Sequence, residues 1–173
     1  MHPSATPYNH YLCLLMTNLT DEQRTLWKQQ LKDVCLTVLA DRIRTAEQAM
    51  TDAQEAAKGE GKSSAGDKYE TSRAMAHLNS EMNARQLQEA KHELAELQLL
   101  NPSARYSHVT TGAVVVCQEQ TYFIALGLGP TVVNEQKITF LSPQAPIASM
   151  LHHKRASDSV VFNNKLVEII EVF

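Results

Sequence analysis

The eight residues Gly59-Glu-Gly-Lys-Ser-Ser-Ala-Gly66 hold three glycines and two serines, and they separate two long runs of proline-free, helix-forming sequence. Glycine loses more backbone entropy in a helix than any other residue, so the chain is predicted to turn here. That one break limits what the flanking runs can do. Two helices joined by a short loop can pack antiparallel, and a helical hairpin is the simplest outcome.

The first run opens at Thr20-Asp21-Glu22-Gln23, a threonine N-cap with glutamine at the third helical position, and continues to Lys58. Its apolar residues include Leu26, Leu31, Val34, Cys35 and Val38. Leu39, Ile43, Ala46, Met50, Ala53 and Ala57 then follow at alternating spacings of four and three. This is the heptad spacing of a helix that packs along a single seam. The second run, Asp67 to Leu100, carries Met75, Leu78, Met82, Leu87, Ala90, Leu94 and Leu97, and stops at Asn101-Pro102. Both runs slip phase, near Val38 to Ile43 and near Met82 to Leu87, as paired arms would need. At ~1.5 Å per residue the arms extend roughly 50 Å, so the hairpin is expected to protrude. Its seam thins to Ala46, Ala49, Ala53, Ala56 and Ala57, and a mobile tip is expected.

After Pro102 the residue types change to Val, Ile, Thr, Tyr and Phe in short runs. Strands are predicted at Ala113 to Cys117, Thr121 to Leu126, Ile138 to Leu141, Val160 to Phe162 and Leu166 to Val172. Asn163-Asn164 suits a tight hairpin turn, and Pro146 to Leu151 a short helix. The expected fold class is α+β. Residues 1–18 are expected to be a disordered tail or sequence upstream of a start at Met16. The hairpin occupies 19–101 with its tip near 58–67, and a small antiparallel sheet with a helix against it occupies 102–173.

A net charge of −3 argues against gripping nucleic acid by phosphate neutralisation. Cys13, Cys35 and Cys117 are odd in number and unpaired in spacing, which excludes a zinc or disulfide framework and points to a reducing, cytoplasmic setting. Cys35 and Cys117 fall on apolar stretches and read as small buried hydrophobes. The apolar patch Tyr11 to Met16 is too short to span a membrane. Trp27 is expected to pack where the hairpin base meets the β domain. Gly127-Leu-Gly129-Pro130 offers no helix N-terminus and is no dinucleotide loop.

The segment Ile138-Thr-Phe-Leu-Ser142-Pro143-Gln-Ala-Pro146-Ile147-Ala148-Ser-Met-Leu151-His-His-Lys154, followed by Asp158-Ser-Val160-Val161 and preceded by a helical hairpin, resembles the Gre family of transcript-cleavage factors. The sequence differs from that pattern at His153, where glycine is usual, and in the inserted Gln144-Ala145. The resemblance implies an FKBP-like second domain that docks at the rim of the RNA polymerase secondary channel, with Pro146, Ile147, Lys154 and Arg155 as partner-binding residues. It implies further that the hairpin enters the channel. No intrinsic cofactor, membrane contact or sequence-specific nucleic-acid contact is expected, and the oligomeric state is left open. Prolyl isomerisation, the activity of true FKBPs, is disfavoured by the scarcity of aromatic residues.

Gre factors present a Gly-Asp-x-x-Glu motif at the hairpin tip, whose carboxylates help to hold a second catalytic Mg²⁺, and Gly66-Asp67-Lys68-Tyr69-Glu70 has that spacing. Mg²⁺ takes hard oxygen ligands and needs only one or two protein carboxylates, so Asp67 and Glu70 suffice as metal and catalytic residues within a polymerase complex. A second alignment, anchored on Tyr69 and Arg73, places Lys62 and Ala65 at the acidic positions and removes this chemistry. The same Asp-x-x-Glu also reads as a helix cap. Lys58, Lys62 and Lys68 read either as solvation of the tip or as contacts to nucleic acid. His152-His153-Lys154-Arg155 reads as positive charge at a helix end or as a face for an acidic partner. A non-enzymatic coiled-coil adaptor or oligomerisation protein is the alternative function.

Overall fold

The computed structural model describes residues 18–59 and 66–173. Residues 1–17 and 60–65 lie outside it, together with the expectations placed on them, a disordered N-terminal stretch and Lys62 included. The side chains of Lys58, Asp67, Lys68 and Glu70 also lie outside the described set. Helix α1 spans Asp21–Gly59 and helix α2 spans Gly66–Leu99. The N-terminus of α1 closes as a capping box. Thr20 N donates to Gln23 Oε1 at 2.8 Å, and Gln23 N donates to Thr20 Oγ1 at 3.3 Å.

The chain divides into two compact units, and one of them is Leu36–Gln98. Within it, ion pairs join Arg42 to Glu93 at 3.6 Å and Glu47 to Lys91 at 2.9 Å. Advancing along α1 thus means retreating along α2, so the two helices pack antiparallel. Leu39 and Ala46 are buried, and Ile43, Met50 and Ala53 half-buried, along the α1 seam. On α2 the inward positions are Ser80, Asn83, Leu87, Ala90, Leu94 and Leu97. Here the sequence expectation needs correction. Met75, Leu78 and Met82 are 54%, 57% and 53% exposed. The helix runs unbroken through the phase slip, so a register set by Leu87 to Leu97 turns those three side chains outward and brings Ser80 and Asn83 inward.

The second unit joins α1 through Cys35 to Leu99–Phe173. Its six strands are β1 (Val114–Cys117), β2 (Thr121–Ile124), β3 (Gly129–Val133), β4 (Gln136–Leu141), β5 (Ser159–Phe162) and β6 (Lys165–Val172), and helix α3 covers Pro146–Leu151. The sheet order is β3-β4-β2-β1-β6-β5. It is mixed, not antiparallel, because β4 pairs parallel with β2 while β3 and β4 form an antiparallel hairpin. The chain leaves β2, runs back as the edge strand β3 and returns between the two. Asn134 and Glu135 make that return at φ 49 and 66, and Asn163-Asn164 turn β5 into β6 at φ 51 and 60, the paired positive values of a two-residue hairpin turn.

Strands β1 and β2 are buried throughout. Val115, Cys117, Tyr122 and Ile124 pack with Ile147, Ala148 and Leu151 of α3 and with Val160 and Ile169. The alternate residues belong to the opposite face, where Phe123 meets Phe140 edge-on with centroids 5.8 Å apart. In α1, Trp27, Leu31 and Cys35 are buried.

Candidate functional site

Three groups of residues bear on function. At the tip, Gly66 opens α2, which sets Asp67 and Glu70 three positions apart near its N-terminus.

The second group surrounds α3. Pro146 is exposed at the first helical turn, Ile147 is buried in the core, Lys154 is half-buried and Arg155 is exposed. Pro146 and Ile147 therefore sit at one end of α3 and Lys154 and Arg155 beyond the other. His153 has φ 63. A left-handed backbone at this position gives a physical reason for a glycine in its place, and a histidine tolerates it at some cost in strain. The turn is tied to the segment before β1: His153 N donates to Val109 O at 2.9 Å, and Val109 N donates to Lys154 O at 2.8 Å. These bonds bring His108 alongside, its ring centroid 5.7 Å from that of His153, while the His152 ring lies against that of His153 at 3.8 Å, tilted by 51°. The position of His108 carries no sequence signal, because it depends on pairing between segments far apart in the chain. Among the described residues no three His, Cys, Asp or Glu side chains are placed to hold a metal ion.

The third group lies where α1 begins. Lys28, only 3% exposed, donates to the carbonyl of Ala104 and stands 4.9 Å over the Tyr106 ring. Lys32 donates to Leu100 O at 2.7 Å. Helix α2 has no basic residue in its last turn, and α1 supplies these two cations to the carbonyls that follow it. Desolvation lowers the Lys28 pKa and raises that of Tyr106. Arg24 pairs with Glu171 of β6 and lies over the Phe173 ring at 5.3 Å. Asp21 pairs with Arg105 at 2.6 Å. A cavity of about 740 Å³ lies among Arg24, Lys28, Arg105, Tyr106 and Phe173. A lysine and two arginines so placed read as solvated surface in the sequence, since only tertiary structure supplies their partners.

A cleft of about 380 Å³ has Tyr122, Leu141, Ile147, Phe162 and Val167 among its walls, with Gln118 and Glu168 on its rim. Burial pushes the Tyr122 hydroxyl up to about 12, with Cys117 and Glu119 adding to the shift. Among the described residues, Tyr122 and Phe162 are the only aromatics lining this cleft, few for a prolyl-isomerase pocket. Gly129 begins β3, so no helix follows the Gly-Leu-Gly-Pro stretch. No described helix is long and apolar enough to cross a membrane. Comparison with protein-family models, with curated proteins and with solved structures gives no match.

Proposed function

We propose that this chain is a Gre-like regulator of RNA polymerase, in which the hairpin enters the secondary channel and an FKBP-like β domain docks at its rim. One combination carries this reading: an antiparallel helical hairpin whose second arm opens on Gly66-Asp67-x-x-Glu70, in the same chain as a sheet domain whose short helix follows Ser142-Pro143. In this reading Asp67 and Glu70 would hold a Mg²⁺ shared with the polymerase, and that ion would polarise water for RNA hydrolysis. The chain's own contribution is to supply both residues three positions apart in the first turns of α2. The cytoplasmic setting follows from the partner. The test is a backtracked-complex cleavage assay with a polymerase-binding measurement beside it. Wild type should bind core polymerase and stimulate cleavage, and Asp67→Ala/Glu70→Ala should bind equally well and stimulate nothing. Absence of binding would remove the reading, whereas binding without stimulation by wild type would leave a non-cleaving regulator.

A second reading, the oligomerisation protein, draws on the exposed stripe Met75, Leu78 and Met82. Spaced at i, i+3 and i+7, these side chains form a continuous strip that a second helix could cover. If the strip is an oligomer seam, wild type sediments as a dimer and Leu78→Glu/Met82→Glu as a monomer. Monomeric wild type at high concentration excludes this reading.

A further inference from the structure

We propose that the surface formed by His108, His152, His153, Lys154 and Arg155 is a docking site for an acidic protein segment, and that it binds more tightly as its histidines take up protons. The rings of His108, His153 and His152 form one contact chain, with centroid separations of 5.7 and 3.8 Å. Lys154 and Arg155 continue it along the same turn. Backbone bonds of 2.9 and 2.8 Å between Val109 and His153–Lys154 hold the two segments in register, so the fold brings the three histidine positions together. His153 occupies its place in a left-handed conformation, φ 63, that favours a smaller residue.

The charged and titratable groups on the two segments are these five, Arg105, which pairs with Asp21, Tyr106, which lies under Lys28, and Asp158, whose carboxylate accepts from Arg155 N at 2.8 Å and closes the turn. Ser107 Oγ lies 3.5 Å from His108 Nδ1. Protonating adjacent imidazoles creates like charges in contact, which repel unless an anion lies between or across them. Anion binding and proton uptake are therefore coupled, each favouring the other. His152 and His153 are exposed, and an open surface suits carboxylates carried on a macromolecule better than a small ion, which needs a cradle. A long polyanion would meet the net negative charge of the rest of the chain over most of its length, whereas a short acidic segment meets chiefly this surface. The inference does not require that the partner be a polymerase.

The experiment measures anisotropy of a fluorescein-labelled twelve-residue Asp/Glu peptide with the full chain at pH 8 and pH 6, against the Asn/Gln peptide of the same length. For a generic imidazole of pKa about 6.5, the protonated fraction rises roughly 25-fold over that interval, and a proton required for binding strengthens it by about that factor. Wild type should therefore tighten by about 25-fold or more on acidification. H108N/H152N/H153N should bind equally at both pH values, asparagine being tolerated at the positive φ of position 153. Lys154→Gln/Arg155→Gln should bind more weakly throughout while keeping the pH response. Circular dichroism confirms that each variant is folded. The proposal fails if the acidic peptide binds no better than the neutral one, if the triple variant keeps the wild-type pH response, or if a single-stranded oligonucleotide binds this surface more tightly than the peptide.

Discussion

Gly112→Ala is expected to destabilise the β-domain unit by about 2–4 kcal/mol, seen as a lower denaturation midpoint with an unchanged slope. Gly112 sits at φ +88, where a side chain is strained whatever space surrounds it. The space is also taken. A Cβ built there would lie 2.7 Å from Tyr106 Oη and 3.3 Å from Leu100 Cδ2. Tyr106 has little freedom to retreat, because Lys28 lies over its ring and itself donates to Ala104. Gly112 N is engaged as well, donating to Ile124 O at 2.7 Å. The two components can be separated. Tyr106→Phe removes the atom at 2.7 Å and leaves Cζ at 3.4 Å, an ordinary contact. In the Tyr106→Phe background the Gly112→Ala penalty should fall to the backbone component, about 1–2 kcal/mol. A penalty that is the same in both backgrounds would show that the ring does not oppose the added methyl group.

Gly112 also illustrates what the sequence could not supply. Elements defined by local pattern were legible: the capping box at Thr20–Gln23, the heptad positions Leu39 to Ala53, the helix Pro146–Leu151 and the turn at Asn163-Asn164 all follow from nearest neighbours in the chain. Strand β3 escaped because Gly129 and Pro130 read as loop, yet proline is tolerated on an edge strand, where its missing N–H faces no partner. The parallel β2–β4 pair escaped because pairing direction depends on connections across the fold. Hydrophobicity alone points Met75, Leu78 and Met82 inward, whereas the larger set from Leu87 to Leu97 fixes which side of α2 faces its partner. Of the candidate sites, Asp67 and Glu70 are legible as a motif, and His108 is not, since only the bonds between Val109 and His153–Lys154 bring it to the α3 end.

Arg24→Met should cost about 2 kcal/mol, while Arg24→Met/Glu171→Met should return to within about 1 kcal/mol of wild type. The Arg24 and Glu171 side chains are 27% and 19% exposed. Such a pair gains less than its short contact suggests, because both charges have given up water. Removing only the cation leaves the carboxylate desolvated without compensation, and it also removes the guanidinium from the Phe173 ring. Removing both charges eliminates the desolvation term. Burial already raises the Glu171 pKa above its usual 4.5, with Arg24 acting in the opposite sense. A carboxyl whose folded pKa exceeds its unfolded value holds its proton more tightly when folded. Its stabilising contribution is full below about pH 4.5 and is lost as pH rises through the raised value. Without Arg24 that pKa climbs further, so the single variant should lose stability over a wider pH interval than wild type. The double variant, with no carboxyl at position 171, should lack this component. Denaturation midpoints measured from pH 4 to pH 8 for the three proteins decide the matter, and a single variant as stable as the double at neutral pH would mean that the uncompensated carboxylate costs nothing.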